Sequence, residues 1–541
     1  MTDKRRHHDQ PHMVGDHLKN YEPIPTQAIG QLQLSRGAQA EEVEAQERKK
    51  RLLGLVGAPL LALIVYFVLP QDLEHGAKLT AATAILMGGW WMTEALPIPA
   101  TALIPLVVFP LLNSDVKIDE IGASYGNNII FLFMGGFLLA LGMQRWNLHR
   151  RIALLTLKMM GTKPSAMVAG FMMATGFLSM WVSNTATAVM MLPIGVSVLT
   201  LITQIQKKPA AQQAEGQPAG GAAEAVIRSN FGSALMLGIA YASSIGSLGT
   251  LIGTPPNTLL AGYMEKTHGI KIGFGQWMLV GVPLAVVMMF ICWFLLTKVL
   301  FKPEIKEIPG GKELINSEYQ KLGPMSSGEI RVLIIFVLAA LSWIFIPILF
   351  AEPPITDAGI AILVGLILFL LPAGSAGKAG VRLIDWDTAM QLPWGVLLLF
   401  GGGLALSGQF SSSGLTTWIG ESVGHLEGVP AWVLVILLTT GIIFLTELTS
   451  NTATAATFLP VAGGIALGMG YEPLLLAIPV ALSATCAFML PVATPPNAIA
   501  YGSGYVTIGQ MVKGGLWLNL IGIVLISLLT LTIASSVFNL G

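Results

Sequence analysis

From Leu52 onward the chain alternates long apolar runs with short polar segments, and this pattern predicts membrane-spanning helices. A run of roughly 20 apolar residues is the length that a helix needs to cross a bilayer. The runs are continuous, whereas a transmembrane barrel alternates apolar and polar positions. We predict eleven full spans, at 52–70, 79–95, 97–112, 126–145, 230–264, 274–299, 330–350, 358–372, 391–410, 473–506 and 514–537.

Two further apolar stretches, 164–202 and 430–466, are about twice the length of one span. Each has Ser-Asn-Thr near its middle. We predict that each stretch folds back as a re-entrant hairpin, with its polar tip inside the membrane and both ends on one side. The predicted fold class is therefore an all-α polytopic membrane protein with eleven spans and two hairpins.

The distribution of basic residues supports this topology. With a cytoplasmic N-terminus, 26 of the 30 Lys and Arg residues fall on the inner side, and only Lys78, Lys117, Lys266 and Lys271 fall outside. If either hairpin crossed the membrane instead, the basic cluster between 298 and 331 would move to the outer side. We therefore expect a multi-pass protein of a plasma or bacterial inner membrane, with an external C-terminus.

Composition agrees with this interpretation, since 53% of the residues are hydrophobic and only 11% are charged. A soluble chain of this length carries about 25% charged residues. Residues 1–51 hold 17 of the 60 charged residues, and we predict a disordered cytoplasmic tail there. Residues 204–229 are rich in Ala, Gln and Gly, which predicts a flexible linker, and 147–162 predict an amphipathic segment at the inner interface.

Comparing the chain with itself reveals an internal repeat. Residues 183–187, Ser-Asn-Thr-Ala-Thr, recur at 450–454, an offset of 267. Gly253-Thr-Pro-Pro-Asn257 is matched by Ala493-Thr-Pro-Pro-Asn497 at an offset of 240. In the predicted topology the span before the first hairpin, 126–145, enters the membrane from outside, and its counterpart before the second hairpin, 391–410, enters from inside. The two halves are therefore inverted. Inverted repeats with interrupted helices are typical of secondary transporters.

The repeated motifs predict interrupted helices at membrane depth. The two prolines of Thr-Pro-Pro-Asn remove backbone donors and disfavour helical geometry in the preceding residue. At each hairpin tip we expect one half-helix to end before Ser-Asn-Thr and another to begin after it. Freed carbonyl and hydroxyl oxygens suit a small hard cation, and the N-termini of half-helices offer amides to an anion.

Charged residues are almost absent from these segments. None, and no His, occurs in 164–206, 230–264 or 473–512, and the second hairpin contains only Glu447. Helix dipoles of about half a charge each cannot neutralise a dianion there, so co-bound cations are expected to supply the positive charge. Glu447, which corresponds to Met180 in the first half, and Glu94 are candidate functional acids. A simple pairing of Glu447 with a neighbouring polar group is equally compatible with the sequence.

Enzyme motifs are weak or missing. The segment 420–424 matches Gly-x-Ser-x-Gly, but it lies in a predicted outer loop with no strand before it, and we treat it as chance. The sequence contains no P-loop and no His-Glu-x-x-His. We therefore expect neither an enzyme nor an ATP-driven pump.

The paired motifs in inverted halves resemble those of the divalent-anion:sodium symporter family, which includes sodium-coupled dicarboxylate and citrate carriers. The resemblance covers 52–541. It implies a first sodium site at Ser179, Ser183, Asn184 and Gly253, and a second at Thr446, Ser450, Asn451 and Ala493. It implies substrate contacts at Asn184, Thr185 and Thr254 from one half and at Asn451, Thr452 and Thr494 from the other.

The resemblance also implies a homodimer that works by an elevator mechanism, with fixed scaffold helices at 52–112 and 330–372. The first repeat half would occupy 113–300, a cytoplasmic linker 301–329, and the second-half transport elements 373–541. We expect sodium-coupled import of C4-dicarboxylates such as succinate, malate or fumarate, without an organic cofactor or nucleic acid. An exchanger, or a sodium-coupled citrate or sulfate carrier of the same fold, is the alternative; a channel would conduct without accumulating substrate.

Overall fold

The computed structural model describes residues 45–161, 163–210, 229–305, 307–308, 310–350, 352–374, 380–423 and 429–540. Regular structure within these ranges is helical, apart from one bridge between Pro372 and Arg382. Most of the predicted tail and of the predicted linker at 204–229 lies outside the described residues.

The helices are numbered in chain order. They are α1 (Ala45–Val68), α2 (His75–Thr93), α3 (Ile98–Thr101), α4 (Pro105–Leu112), α5 (Ile118–Gly122), α6 (Asn128–Arg145), α7 (Leu148–Met160), α8 (Pro164–Ser179), α9 (Asn184–Ala210), α10 (Asn230–Ser247), α11 (Pro255–His268), α12 (Phe274–Phe294), α13 (Gly311–Lys321), α14 (Ser327–Leu349), α15 (Asp357–Leu370), α16 (Trp386–Ala389), α17 (Trp394–Ser412), α18 (Leu415–Val423), α19 (Ala431–Thr446), α20 (Asn451–Gly468), α21 (Pro473–Thr485), α22 (Pro495–Gly502), α23 (Ile508–Leu529) and α24 (Ser535–Phe538). A 3-10 turn precedes α6, and short π-helical segments extend α12 and α23; they are Ala123–Gly126, Leu295–Leu300 and Thr530–Ala534.

Seven helical segments of the described chain are long and apolar enough to cross a membrane. They are Arg48–Val68, Ile118–Arg145, Asn184–Ile202, Phe274–Leu300, Ser327–Leu349, Trp394–Ser412 and Ile508–Phe538. Three predicted spans, at 97–112, 230–264 and 473–506, are each divided into two helices. The division of the last two is the predicted break at Thr-Pro-Pro-Asn.

Several predicted boundaries were wrong. The tail was predicted to reach residue 51, but α1 begins at Ala45, because the charged residues before Leu52 are good helix formers that extend the apolar helix. The linker was predicted from residue 204, but α9 continues to Ala210, because residues 204–208 are mostly Gln and Lys, which form helices well. Its 27 residues make it about 40 Å long. The linker at 301–329 contains the helix α13, and the last span begins at Ile508 rather than 514.

The two halves of the repeat pack in corresponding ways. In the first half, both arms of the hairpin, α8 and α9, pack against α10; in the second half, α19 and α20 pack against α21. The halves also interlock, because α9 contacts α22 and α20 contacts α11. The hairpin tips and the breaks of both interrupted helices are thereby brought to the interface between the halves.

Glycines permit the closest of these contacts. A Cβ atom on Gly246 of α10 would lie 2.2 Å from the carbonyl oxygen of Gly176 in α8. Any larger residue at Gly246 would force the first hairpin arm away from the helix that supports it. Sequence therefore specifies this close approach through the absence of a side chain.

A buried ion pair fixes the base of the first hairpin. Arg151 of α7 pairs with Glu329 near the start of α14, and its guanidinium also donates to the carbonyl oxygen of Gly323 at 3.0 Å. Glu329 completes a capping box with Ser326. The predicted amphipathic segment is thus the helix α7, and it packs against the first hairpin arm α8.

Candidate functional site

Both hairpins turn at the predicted motif. The first arm of the first hairpin ends at Ser179 and the second arm begins at Asn184. The corresponding ends in the second hairpin are Thr446 and Asn451. The second arm was predicted to begin after Ser-Asn-Thr, but in both hairpins it begins at the Asn. At the first tip, the Ser183 hydroxyl caps α9 by accepting the backbone N–H of Ala186.

Three oxygen atoms meet at the tip of the first hairpin. The Ser179 hydroxyl oxygen lies 2.6 Å from Asn184 Oδ1 and 2.5 Å from the carbonyl oxygen of Ser243 in α10. One hydroxyl proton can satisfy only one of these two acceptors. Asn184 Nδ2 donates to Ser247 Oγ at 3.3 Å, which orients Oδ1 toward Ser179.

The second hairpin repeats this geometry with different residues. The Thr446 hydroxyl oxygen lies 2.8 Å from Asn451 Oδ1 and 2.8 Å from the carbonyl oxygen of Ala484 in α21. Again one hydroxyl faces two acceptors. Clusters of hydroxyl, amide and carbonyl oxygens are the ligand type that hard cations prefer, so the chemistry of both tips fits a sodium ion.

The interrupted helices also correspond closely. Thr254 and Thr494 precede the proline pairs with nearly equal backbone angles, φ −145° and ψ 142° against φ −144° and ψ 150°. The two prolines then occupy the first turns of α11 and α22, where their missing N–H groups are not needed. The first amide of each helix is therefore that of Asn257 or Asn497; the former donates to the carbonyl oxygen of Thr254 at 3.2 Å and the latter to Thr494 Oγ1 at 3.4 Å.

The asparagine of each Thr-Pro-Pro-Asn motif closes the break in front of it. Asn257 Nδ2 lies 2.9 Å from the carbonyl oxygen of Thr250, and Asn497 Nδ2 lies 3.1 Å from that of Leu490, its counterpart at the offset of 240. Both asparagines are completely buried, and within the described chain Oδ1 of each has no hydrogen-bond partner. Sequence reasoning quoted these residues in the motif but missed this role, although their repetition was a usable signal.

Gly253 and Ala493 face different constraints. A Cβ atom on Gly253 would lie 2.3 Å from the carbonyl oxygen of Ser247, so any side chain at this position would force the first break to shift. The second break accommodates the Ala493 methyl group, which is buried. The two proposed backbone ligands therefore occupy equivalent positions, but only the second position has room for a methyl group.

The halves touch directly at the motifs. The hydroxyl oxygens of Thr254, from the first half, and Thr485, from the end of α21, lie 3.4 Å apart. Among the other predicted residues, Ser183 accepts a hydrogen bond from the backbone N–H of Ala186 at 3.3 Å. Thr185 is exposed, whereas Thr452 is buried.

The two candidate acids behave differently. Glu447 is buried and accepts hydrogen bonds from the second break and from Asn519 of α23, a residue that sequence reasoning did not single out. Glu94 is exposed and adopts a left-handed backbone conformation at the end of α2, with φ of 52°. Of these acids, only Glu447 contacts the motif segments.

Comparison with known proteins agrees with this geometry. A family model described as the sodium:sulfate symporter transmembrane region matches residues 49–539. The chain belongs to this family. The match confirms the predicted resemblance and the prediction of a multi-pass membrane transporter rather than an enzyme.

Relatives of this sodium:sulfate symporter family member carry a more specific name. A sodium-dependent dicarboxylate transporter, SdcS, from Staphylococcus saprophyticus is 43% identical over 483 residues, covering 88% of this chain and 90% of the relative. SdcS from Staphylococcus aureus is 44% identical over 483 residues, with the same coverage.

Two solved structures have a similar fold. The YdaH transporter of Alcanivorax borkumensis has a TM-score of 0.52 and 14% identity, covering 86% of this chain and 99% of its own. MtrF of Neisseria gonorrhoeae has a TM-score of 0.50 and 12% identity, covering 88% and 98%. These identities are low, so the likeness concerns the fold alone, and it confirms the all-helical, multi-span architecture.

Proposed function

We propose that this carrier imports C4-dicarboxylates such as succinate, malate and fumarate together with sodium ions. The observation that carries the proposal is the pair of matching oxygen clusters, centred on the Ser179 and Thr446 hydroxyls, at the interface between the halves. The names of the SdcS relatives, at 43% and 44% identity, support sodium dependence and a dicarboxylate substrate.

Electrostatics explains why the ions and the substrate would move together. The motif segments contain no basic side chain, so no positively charged side chain there would compensate a dianion. Helix dipoles contribute about half a charge each, which leaves the dianion poorly compensated in a low-dielectric site. Two sodium ions beside it would cancel its charge.

The residue roles that the family resemblance implies are part of the proposal. The first sodium ion would bind Ser179, Ser183, Asn184 and Gly253, and the second would bind Thr446, Ser450, Asn451 and Ala493. The substrate carboxylates would contact Asn184, Thr185 and Thr254 from one half and Asn451, Thr452 and Thr494 from the other. The contacts of both asparagines with the hydroxyl of the preceding arm support a shared role in ion and substrate binding.

The transport cycle is proposed on the same basis. The hairpins and interrupted helices would move together, as an elevator, against scaffold helices held in a homodimer in the plasma or bacterial inner membrane. A cytoplasmic N-terminus and an external C-terminus agree with the distribution of Lys and Arg. The inverted orientation of the halves explains how one site faces each side in turn.

Uptake into proteoliposomes tests the proposal. We expect radiolabelled succinate to accumulate against its gradient when sodium is outside, and to cease accumulating in choline medium. Equal accumulation in both media would overturn sodium coupling. Competition by tartrate, citrate or sulfate shows which class of anion the carrier prefers. Exchange of internal for external succinate without a sodium gradient would indicate an exchanger instead.

Varying the membrane potential gives the sodium stoichiometry. Two sodium ions per dianion move no net charge, so uptake would not respond to voltage. A third ion would add one charge, worth about 2.3 kcal/mol per 100 mV. The measurement requires sodium and voltage to be changed independently with potassium gradients and valinomycin.

A further inference from the structure

The Glu447 carboxylate is held by a dense set of hydrogen bonds at the second break. Glu447 as a whole is only 3% exposed. Oε1 accepts from the backbone N–H groups of Phe488 at 2.7 Å and Met489 at 2.9 Å, and Oε2 accepts from Met489 at 3.0 Å and Leu490 at 3.2 Å. Asn519 Nδ2 of α23 donates to Oε1 at 2.7 Å.

In the first half, the corresponding backbone N–H groups find hydrogen-bond acceptors without a carboxylate. Met180 stands at the position of Glu447, and the N–H groups of Leu248 and Gly249 bond back to the carbonyl oxygens of the preceding helical turn. The first interrupted helix ends at Ser247, which corresponds to residue 487, but the second ends two residues earlier, at Thr485. The longer second break therefore exposes amides that need an acceptor from elsewhere.

We propose that Glu447 and Asn519 are positioning residues of the second cation site, an inference that rests on the proposed function. Glu447 directly follows Thr446, the hydroxyl ligand, and its carboxylate holds residues 488–490 of the break that also contains Ala493. It thereby joins two walls of the site, the hairpin tip and the break. Asn519 extends this connection to the last long helix, α23.

Charge makes the two cation sites unequal. All of the hydrogen bonds to Glu447 come from uncharged N–H groups, and a buried carboxylate compensated in this way remains costly. A sodium ion in the neighbouring second site offsets that cost, whereas Met180 provides no charge beside the first site. The second site therefore binds sodium more tightly than the first.

The test compares variants of the full-length purified protein. Glu447→Gln replaces one carboxylate oxygen with an NH₂ group that faces N–H donors, so the break loses one of its two acceptor oxygens and the negative charge. Without substrate, we expect the sodium concentration for half-maximal thermal stabilisation to rise about tenfold, and the sodium requirement of succinate uptake to rise with it. At saturating sodium, the succinate KM should change less than about twofold, because the substrate ligands are untouched.

Asn519→Leu is the second test variant, of similar size, and it removes only the orienting bond to Glu447. We expect a sodium shift in the same direction of about threefold. Ser527→Ala is the matched control on α23, since the Ser527 hydroxyl is buried without a hydrogen-bond partner in the described chain. Its sodium dependence should equal that of the wild type.

The outcomes separate this inference from the proposed function. Unchanged sodium dependence in both test variants, or an equal rise in the sodium and succinate constants, overturns it. If Glu447→Gln does not yield monodisperse protein, Asn519→Leu decides alone. Sodium-independent uptake by the wild type instead defeats the proposed function, while a wild type unaffected by sodium in the thermal assay defeats both.

Discussion

The two hairpin tips have the same arrangement of oxygen atoms but opposite surroundings. At the first tip, Trp181 is 8% exposed and packs against Phe336 and Trp343, with ring centroids 5.0 and 6.5 Å apart. At the second tip, the residue in the place of Trp181 is Leu448, which is 65% exposed. The proposed ion ligands are thus identical or similar at the two tips, whereas the residues at the position of Trp181 differ in how they pack.

The breaks differ in the same sense. The first break bonds to its own helix and is buried, with Ile252 at 5% exposure. The second break depends on Glu447, and Val492, the counterpart of Ile252, is 82% exposed. The first break is thus stabilised within its own half, whereas the second break additionally depends on the Glu447 carboxylate and lies near an exposed surface.

The largest expected effect is common to both halves. Asn184→Ala and Asn451→Ala each remove the amide that joins a hairpin tip to its proposed ion and substrate, so sodium-driven succinate uptake should fall to background in either variant. Size-exclusion profiles should remain those of the wild type. Ser197→Ala, an exposed position on α9, is the control and should transport normally. Near-normal uptake by either asparagine variant would refute the assigned site.

The tips themselves should differ in stability. Trp181→Ala removes a large ring from a packed aromatic cluster and should cost about 3–5 kcal/mol, whereas Leu448→Ala at an exposed position should stay within about 0.5 kcal/mol. Melting of the purified proteins in one detergent measures the difference. Similar melting temperatures for the two variants would show that the difference in packing between the tips does not contribute to stability.

Local signals were enough to predict the elements of the site. The proline pairs require a break wherever they stand in an apolar helix, and the repetition of Ser-Asn-Thr at one offset identified both tips before any packing was considered. Asn184 and Asn451 lie beside the hydroxyls of Ser179 and Thr446, the residues that the resemblance groups with them in the two proposed sodium sites.

Contacts that depend on tertiary packing could not be predicted from the sequence. The carbonyl oxygens of Ser243 and Ala484 complete the clusters, but backbone atoms leave no mark in a residue pattern. Asn519 reaches Glu447 from 72 positions along the chain, and its neighbours form an ordinary apolar helix. The packing of Trp181 likewise depends on residues of α14 that are remote in sequence.

The proposed backbone ligands give a smaller contrast. In Gly253→Ala the new methyl group would meet the carbonyl oxygen of Ser247, and overpacking of this kind costs about 1–3 kcal/mol. We expect uptake at limiting sodium to drop about tenfold, while Ala493→Gly stays within about twofold. Sodium titrations of uptake measure both. Equal tolerance at the two positions would mean that the first break relaxes more easily than its packing indicates.

The smallest expected effect concerns the threonines that precede the proline pairs. Thr494 Oγ1 accepts the backbone N–H of Asn497 at 3.4 Å and so caps α22, whereas the Thr254 side chain makes no such cap and faces Thr485. A long cap bond contributes at the low end of its usual range, so Thr494→Val should lower unfolding stability by about 0.5 kcal/mol and Thr254→Val by less. Melting without sodium or substrate isolates this difference from ligand binding. A larger loss in Thr254→Val would instead make the contact between the halves the stronger interaction.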